Sequence, residues 1–215
     1  MTGYRHLEEY HYFHLFLKNL KLNDLCDVFI YCNNPDISPD ILKYFKQYTQ
    51  KKKNLHITHL NAGHRAGGIE ALSQGFDMGL FKDYDYVIHL HPDVFITDDT
   101  YILNIIEENK DNNTVFFVNK SFMHEESMFS FDFFMFKPKL LETNIFKEEL
   151  YTFQENPEQY FRNMILKNNV KYSFVKRFNN NYWSPRRIDD HLKLYHEHDM
   201  EKVRKVLQER NLLIE

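Results

Sequence analysis

The stretch "LHITHLNAGHRAGGIEALSQGFDMGLFKDYDYVIHLHPDV" (residues 55–94) decides the fold. It begins as a strand-like run, passes through a glycine-bearing turn at 61–68 and ends in an apolar strand at 85–90. Between them, apolar residues recur at helical spacing from Ile69 to Leu80. A strand, a helix and a second strand in this order predict a βαβ unit, whose two strands lie parallel in one sheet.

The same alternation continues on both sides of this unit. The segments "DVFIYCNN" (27–34) and "TVFFV" (114–118) are further predicted strands, and helices are predicted between the strands. We therefore expect an α/β fold with a mostly parallel sheet flanked by helices, in a single domain over 1–215. The predicted elements after residue 120 are an apolar strand at 129–136, helices near 138–150 and 157–168, and a C-terminal helix, the last two capped by Asn156 and Asp199.

Composition excludes several classes of protein. The 215 residues are 43% hydrophobic and 16% aromatic, which is enough for one sizeable core. The net charge of −4 comes without a long basic block, so no nucleic-acid partner is expected. No apolar run approaches the roughly 18 residues of a membrane span, and no signal peptide is predicted. Cys26 and Cys32 are interpreted as buried thiols of a reducing, cytoplasmic compartment.

Polar residues collect at the ends of the predicted strands. Asn33 follows the first strand, the segment 61–68 follows the second, and His89, His91 and Asp93 close the third. Ligands of parallel α/β sheets bind at the carboxyl ends of the strands, so these residues predict one site.

Three further side chains are informative by position. His89 and His91 are two apart, so they face the same side of a strand, with His91 nearer the ligand edge and His89 favoured as a core residue. Asp132 interrupts the apolar run "FSFDFFMF", where a carboxylate is costly unless it is paired or lies at a site.

The order of strand, glycine turn, helix, strand and His-Pro-Asp-Val resembles the GT-A glycosyltransferases. The similarity extends over about 27–135, with a further match near His196, and is greatest to inverting rhamnosyltransferase-like members and small glycosyltransferases of large algal viruses. The resemblance implies a Rossmann-like GT-A fold and transfer of a hexosyl or rhamnosyl group from a nucleotide-diphosphate sugar, a UDP-sugar being favoured. The acceptor would be a hydroxyl of a glycan or glycoprotein. Residues 27–120 would bind the donor and 121–215 the acceptor, in the host cytoplasm if the protein is viral.

The resemblance also assigns a cation site. Asp93 matches the aspartate that binds Mn²⁺ or Mg²⁺, while His91 stands where many members carry a first aspartate. A late histidine completes the metal shell in the family, and His196 is favoured here, with His198 as the substitute. Such a cation neutralises the departing diphosphate.

The remaining roles follow the family pattern. Asp132 is the favoured base for the acceptor hydroxyl, with Glu125 and Glu126 as alternatives. A helix N-terminus and an arginine suit a phosphate group, and polar side chains at strand ends suit the nucleoside. The residues predicted to bind the donor are Asn33, Asn61, Gly63, Arg65, Gly67, Gly68, His91 and Asp93.

Two other functions remain open from the residues alone. The pairs His89/His91 and His196/His198 would suit a metal-dependent hydrolase of the amidohydrolase type. Its His-x-His motif belongs on the first strand of a barrel of about 250 residues, and too little chain follows His91 for that. A non-catalytic module that binds a nucleotide or carbohydrate is the second alternative, because the first aspartate of the motif is absent.

Overall fold

The computed structural model describes residues 7–32, 39–40, 43, 54–57, 63–91, 93–119, 129–147, 156–175, 194–197 and 199–213. Within these ranges the strands are β1 (Phe29–Cys32), β2 (Asn54–Ile57), β3 (Val87–Leu90), β4 (Val94–Ile96), β5 (Phe116–Val118), β6 (Phe133–Phe136), β7 (Tyr172–Phe174) and β8 (Leu194–His196). The α-helices are α1 (Leu7–Leu17), α2 (Leu22–Leu25), α3 (Gly63–Asp77), α4 (Thr100–Asn109), α5 (Pro157–Lys167) and α6 (Met200–Glu209).

The central sheet has the strand order β3-β6-β5-β7. β6 runs antiparallel to both β3 and β5, whereas β7 is parallel to β5. The strands β1 and β2 form a parallel pair, and β4 pairs antiparallel with β8. The α/β class with helices on both sides of the sheet is confirmed, but the described sheet is mixed instead of mostly parallel. Alternation along the chain does not reveal that β6 inserts between β3 and β5.

Both faces of the central sheet are apolar, and alternate residues serve opposite faces. Phe117, Phe133 and Met135 pack in one core cluster with α1, β4, α4 and α6. Phe116 and Phe134 point the other way, into a cluster with α3 and α5. Burying one such phenylalanine contributes about 1.5–3 kcal/mol, so the aromatic residues of this sheet stabilise the core clusters on both of its faces.

The helix caps expected from the sequence are present. The side chain of Asn156 accepts a hydrogen bond from the Glu158 amide at 3.0 Å, and Asp199 accepts one from the Glu201 amide at 3.1 Å. The predicted helix at 138–150 is wrong over its described part, which contains only a 3₁₀ turn at Pro138–Leu140. Nearby, the Asn144 side chain accepts from the Phe146 amide at 3.0 Å, a local bond that competes with helix formation.

A cavity of about 880 Å³ is lined by residues of both β1 and β3. Its lining includes Tyr31 and Leu90 on the two strands, and Asp27 and Tyr84 where the strands begin. The Tyr84 hydroxyl donates a hydrogen bond of 2.6 Å to Oδ2 of Asp27, which ties the two strands together at that end. This bond raises the pKa of Tyr84 from 10.0 to about 12, with burial and the charges of Asp27 and Asp83 adding to it.

Tyr84→Phe is expected to lower the free energy of unfolding by about 1 kcal/mol near pH 8. Because the folded pKa of Tyr84 lies above its unfolded value, this contribution is complete below pH 10 and declines as pH rises from 10 toward 12. The difference between wild type and variant, measured by urea unfolding from pH 8 to 11, should therefore shrink with rising pH. A difference that stays constant across this range would contradict the assignment.

In the part of the chain covered by the structure, no helix has the length and apolar character needed to cross a membrane.

Candidate functional site

The carboxyl end of β3 lies beside the beginning of β6. The His91 amide donates to the Asp132 carbonyl at 2.9 Å, so the antiparallel β3–β6 pairing extends one step beyond Leu90. The Val94 amide donates to the His91 carbonyl at 3.1 Å and closes a turn around Asp93. Two candidates from distant parts of the sequence, His91 and Asp132, therefore meet at the predicted edge.

The side chains of His91 and Asp132 form a partly exposed pair. Their Nδ1 and Oδ1 atoms are 3.5 Å apart, and the side chains are 32% and 22% exposed. The Ser130 hydroxyl donates to Oδ2 of Asp132, also at 3.5 Å. The Asp132 carboxylate, which interrupts an apolar stretch, is thus both paired and accessible. Pairing and access to water are what lower the cost of placing a charge there.

His89 is a core residue, as its position suggested. It is 3% exposed, and its ring stacks on Phe134 with centroids 4.5 Å apart. Burial, and secondarily the charge of His91, holds the pKa of His89 well below its usual value. The buried His89 ring lies next to the His91 ring, with centroids 5.6 Å apart, and is not exposed to a ligand at the surface.

We expected a turn over 61–68. In the structure α3 already begins at Gly63, so the residues from Gly63 onward are helical. A Cβ atom at Gly68 would overlap the edge of the Phe131 ring, with a second ring atom at 3.2 Å. Phe131 in turn contacts the His91 ring, with centroids 5.8 Å apart. The missing side chain at Gly68 therefore lets α3 pack directly on Phe131, and this ring separates α3 from His91.

Gly68→Ala is expected to destabilise the protein by about 1–2 kcal/mol. Overpacking against the buried Phe131 costs about 1–3 kcal/mol, which exceeds the gain of up to about 1 kcal/mol in helix propensity. Thermal and urea unfolding measure the loss. The double variant Gly68→Ala/Phe131→Leu should lose less stability than the sum of its single variants, and strict additivity would contradict the steric cause.

The N-terminus of α3 offers donors for an anion. The first amides of a helix have no acceptor within the helix. Their N–H groups point outward along the helix axis, at the positive end of the helix dipole. Gly63 and Arg65 belong to this first turn, whereas the amides of Gly67 and Gly68 lie further along the helix. The amides without an acceptor inside the helix therefore belong to the earlier residues, whereas Gly68 packs closely on Phe131.

The strand pair β4–β8 brings the late histidine beside the aspartate of the His-Pro-Asp motif. Val94 pairs with His196, and the Glu197 amide donates to the Asp93 carbonyl at 3.1 Å. The backbone at His196 therefore lies next to the Asp93 turn. The orientation of the His196 side chain lies outside the described part of the structure.

Glu197 is a residue that the sequence did not single out. It is 3% exposed and Asp93 is 9% exposed, and the register sets these two buried carboxylates opposite each other. Oε1 of Glu197 accepts from the Asp199 amide at 3.0 Å. Two buried carboxylates are costly without a cation or a proton. Carboxylate oxygens fit Mn²⁺ or Mg²⁺, although no group of three metal-ligating side chains converges among the described residues.

Glu158 is a second residue that sequence reasoning missed. It lies in the first turn of α5, and its carbonyl accepts from the Phe129 amide at 3.2 Å. Burial chiefly, and the charge of Asp132 in addition, raise the pKa of Glu158. The cap at Asn156 predicted the start of this helix, but no local signal indicated that its first turn bonds to the segment that precedes Asp132.

The structure does not describe every predicted site residue. Those outside the described residues are Asn33, Asn61, Glu125, Glu126, His198 and the side chain of Arg65.

No family model and no curated protein matches the sequence. Solved structures match in fold. The apo form of mouse xyloside xylosyltransferase 1 is 10% identical, with 89% of this chain and 92% of that one covered and a TM-score of 0.51. A glycosyltransferase involved in glycosylation of the major capsid of PBCV-1 is 11% identical, covering 84% of this chain and 100% of that one at a TM-score of 0.52.

A mannosyltransferase from Pyrobaculum calidifontis, in complex with GDP-Man and Mn²⁺, has a TM-score of 0.57 at 10% identity. The comparison covers 86% of this chain but 58% of the mannosyltransferase, so the chain spans little more than half of that protein. These likenesses establish the fold, which is the GT-A-like fold of nucleotide-diphospho-sugar transferases.

Proposed function

We propose that the chain is a metal-assisted glycosyltransferase that moves a sugar from a nucleotide-diphosphate donor to an acceptor hydroxyl. The observation that carries this proposal is the meeting of three features at one edge of a GT-A-like sheet. These are the accessible His91–Asp132 pair, the buried Asp93 opposite Glu197, and α3, which packs on Phe131 through Gly68.

A divalent cation would be held by Asp93, with Glu197 and His196 on the adjoining strand as further donors. Carboxylate oxygens suit Mg²⁺ and Mn²⁺, and the imidazole favours Mn²⁺. When bound, the cation neutralises the negative charge of the departing diphosphate. The similarly folded mannosyltransferase is in complex with Mn²⁺ and GDP-Man, which supports this part of the proposal by analogy.

The donor diphosphate would meet the first amides of α3 near Gly63, where the helix dipole favours an anion. Arg65 in the same turn would add a guanidinium, and Asn33 and Asn61 would contact the nucleoside. A UDP-sugar is favoured by resemblance, and so is transfer of a hexosyl or rhamnosyl group with inversion.

Asp132 would take the proton of the acceptor hydroxyl, since it is the accessible carboxylate beside His91. A glycan acceptor, free or on a glycoprotein, is supported by the exposed rings of Tyr172 and Phe174, which are 37% and 47% exposed. Both rings contact Phe129, three residues before Asp132. Aromatic faces of this kind stack on sugar rings.

The amidohydrolase alternative loses support. It needs both histidines of the His-x-His motif on a metal, yet His89 is buried and stacked on Phe134. The mixed sheet with separate strand pairs also differs from a closed barrel of parallel strands.

A thermal-shift screen of nucleoside diphosphates and their sugars, with and without Mn²⁺, tests the proposal. A ligand at 100 times its Kd stabilises the folded state by about 2.7 kcal/mol, so one diphosphate should raise the Tm clearly and Mn²⁺ should enlarge the rise. The matching sugar nucleotide should then release nucleoside diphosphate when an acceptor glycan is added. No response to any diphosphate would contradict a donor site, and binding without release would favour a non-catalytic module.

A further inference from the structure

The first turn of α5 lies directly against the segment that carries Asp132. The Phe129 amide donates to the Glu158 carbonyl at 3.2 Å, which fixes the helix start to this segment. One turn later the Phe161 ring contacts the Phe131 ring, with centroids 5.5 Å apart. The same Phe161 ring also contacts Phe134, with centroids 4.3 Å apart, so α5 packs against the chain on both sides of Asp132. The first turn of α5, which carries Glu158, is thereby held next to this segment.

The two carboxylates have different surroundings. Asp132 is paired with the His91 imidazole and accepts from the Ser130 hydroxyl. Glu158 is half-buried, and burial together with the negative charge of Asp132 raises the pKa of Glu158. The next charged side chain along α5 is Arg162, one turn after Glu158.

We propose that Glu158 is a positioning residue of the sugar-transfer reaction, which keeps the neighbouring Asp132 carboxylate basic enough to take the acceptor proton. This inference rests on the proposed function. A second carboxylate nearby disfavours the charged form of Asp132 and so makes it a stronger base.

In the reaction step that this pair would assist, the O–H bond of the acceptor breaks and its proton passes to Asp132. The acceptor oxygen bonds to the anomeric carbon of the donor, whose bond to the diphosphate oxygen breaks, and the electron pair leaves with the diphosphate. Glu158 does not touch the reacting atoms in this scheme. It acts through the electrostatic free energy of protonating Asp132.

Titration of the carboxyl carbons by NMR tests the pair without any need for activity. In Asp132→Asn the titration midpoint of Glu158 should move to lower pH, because a negative neighbour is gone. Glu201 is the matched control, since it occupies the same position after a helix cap at Asp199. Its midpoint should not change in Asp132→Asn. An unchanged midpoint for Glu158 would overturn the pair.

Kinetics of Glu158→Gln, with Glu201→Gln as control, test the role. The Asn156 cap bonds to the backbone amide of residue 158, so this substitution keeps it. We expect kcat to fall roughly 3- to 10-fold, the donor KM to stay unchanged and the acid limb of kcat/KM to move to lower pH. A lower kcat without movement of the acid limb would overturn the positioning role. Coupled titration without transfer of any sugar would instead reject the proposed function and leave the pair established.

Discussion

Asp93→Asn is expected to abolish the enhancement of diphosphate binding by Mn²⁺ and to lower kcat/KM at least roughly 1000-fold. A cation on the leaving diphosphate contributes several kcal/mol to the transition state, and each 1.4 kcal/mol corresponds to about tenfold in rate. Asn retains the size of the side chain but offers a neutral oxygen opposite Glu197. Calorimetric Mn²⁺ titration in the presence of the nucleoside diphosphate, together with thermal shift, measures the loss directly.

The matched control for this substitution is Asp99→Asn. Asp99 is also buried, at 7% exposure, but its Oδ2 accepts from the Leu22 amide at 2.8 Å in a purely structural contact. This variant should lose stability and keep the full Mn²⁺ response. Glu197→Gln should weaken Mn²⁺ binding if the carboxylate opposite Asp93 shares the cation. An Asp93→Asn protein that binds diphosphate and Mn²⁺ like the wild type would reject the cation site.

Local patterns were sufficient to locate much of this edge of the sheet. The carboxyl end of β3 could be identified because the apolar run 86–88 leads through His-Leu-His into a proline and an aspartate, and strand ends of α/β sheets carry the ligands. Asp132 was identifiable by its cost in an apolar strand, and the helix starts at Asn156 and Asp199 by their cap chemistry. Each of these signals depends on residues within a few positions of one another.

The missed features depend on contacts between distant segments. Glu197 lies opposite Asp93 only because the strands β4 and β8 pair. Each has three residues and is too short to show a periodic pattern in the sequence. Glu158 lies next to the segment before Asp132 because its carbonyl bonds to Phe129 and because Phe161, one turn later, packs on Phe131. Gly68 looked like a turn residue because glycine favours turns, whereas its role is to make room for a ring from another segment.

Asp132→Asn is expected to lower kcat roughly 100- to 10,000-fold while donor binding stays within about twofold of the wild type. The amide cannot take the proton of the acceptor hydroxyl, but its oxygen can still accept from Ser130 and from His91. The pair with His91 is partly exposed, so its loss should change the free energy of unfolding by no more than about 1 kcal/mol. Steady-state kinetics, combined with thermal shifts produced by the nucleoside diphosphate and Mn²⁺, separate the chemical step from binding.

Ser130→Ala is the control for this variant, because it removes the hydroxyl that donates to the Asp132 carboxylate at 3.5 Å and leaves the carboxylate itself in place. It should keep most of the turnover and the whole of the donor response. If Asp132→Asn turned over as fast as the wild type, another group would have to take the proton, and Glu158 would be the next carboxylate to test. If donor binding fell together with kcat, Asp132 would contact the donor instead, since loss of a base alone leaves the ground-state complex unchanged.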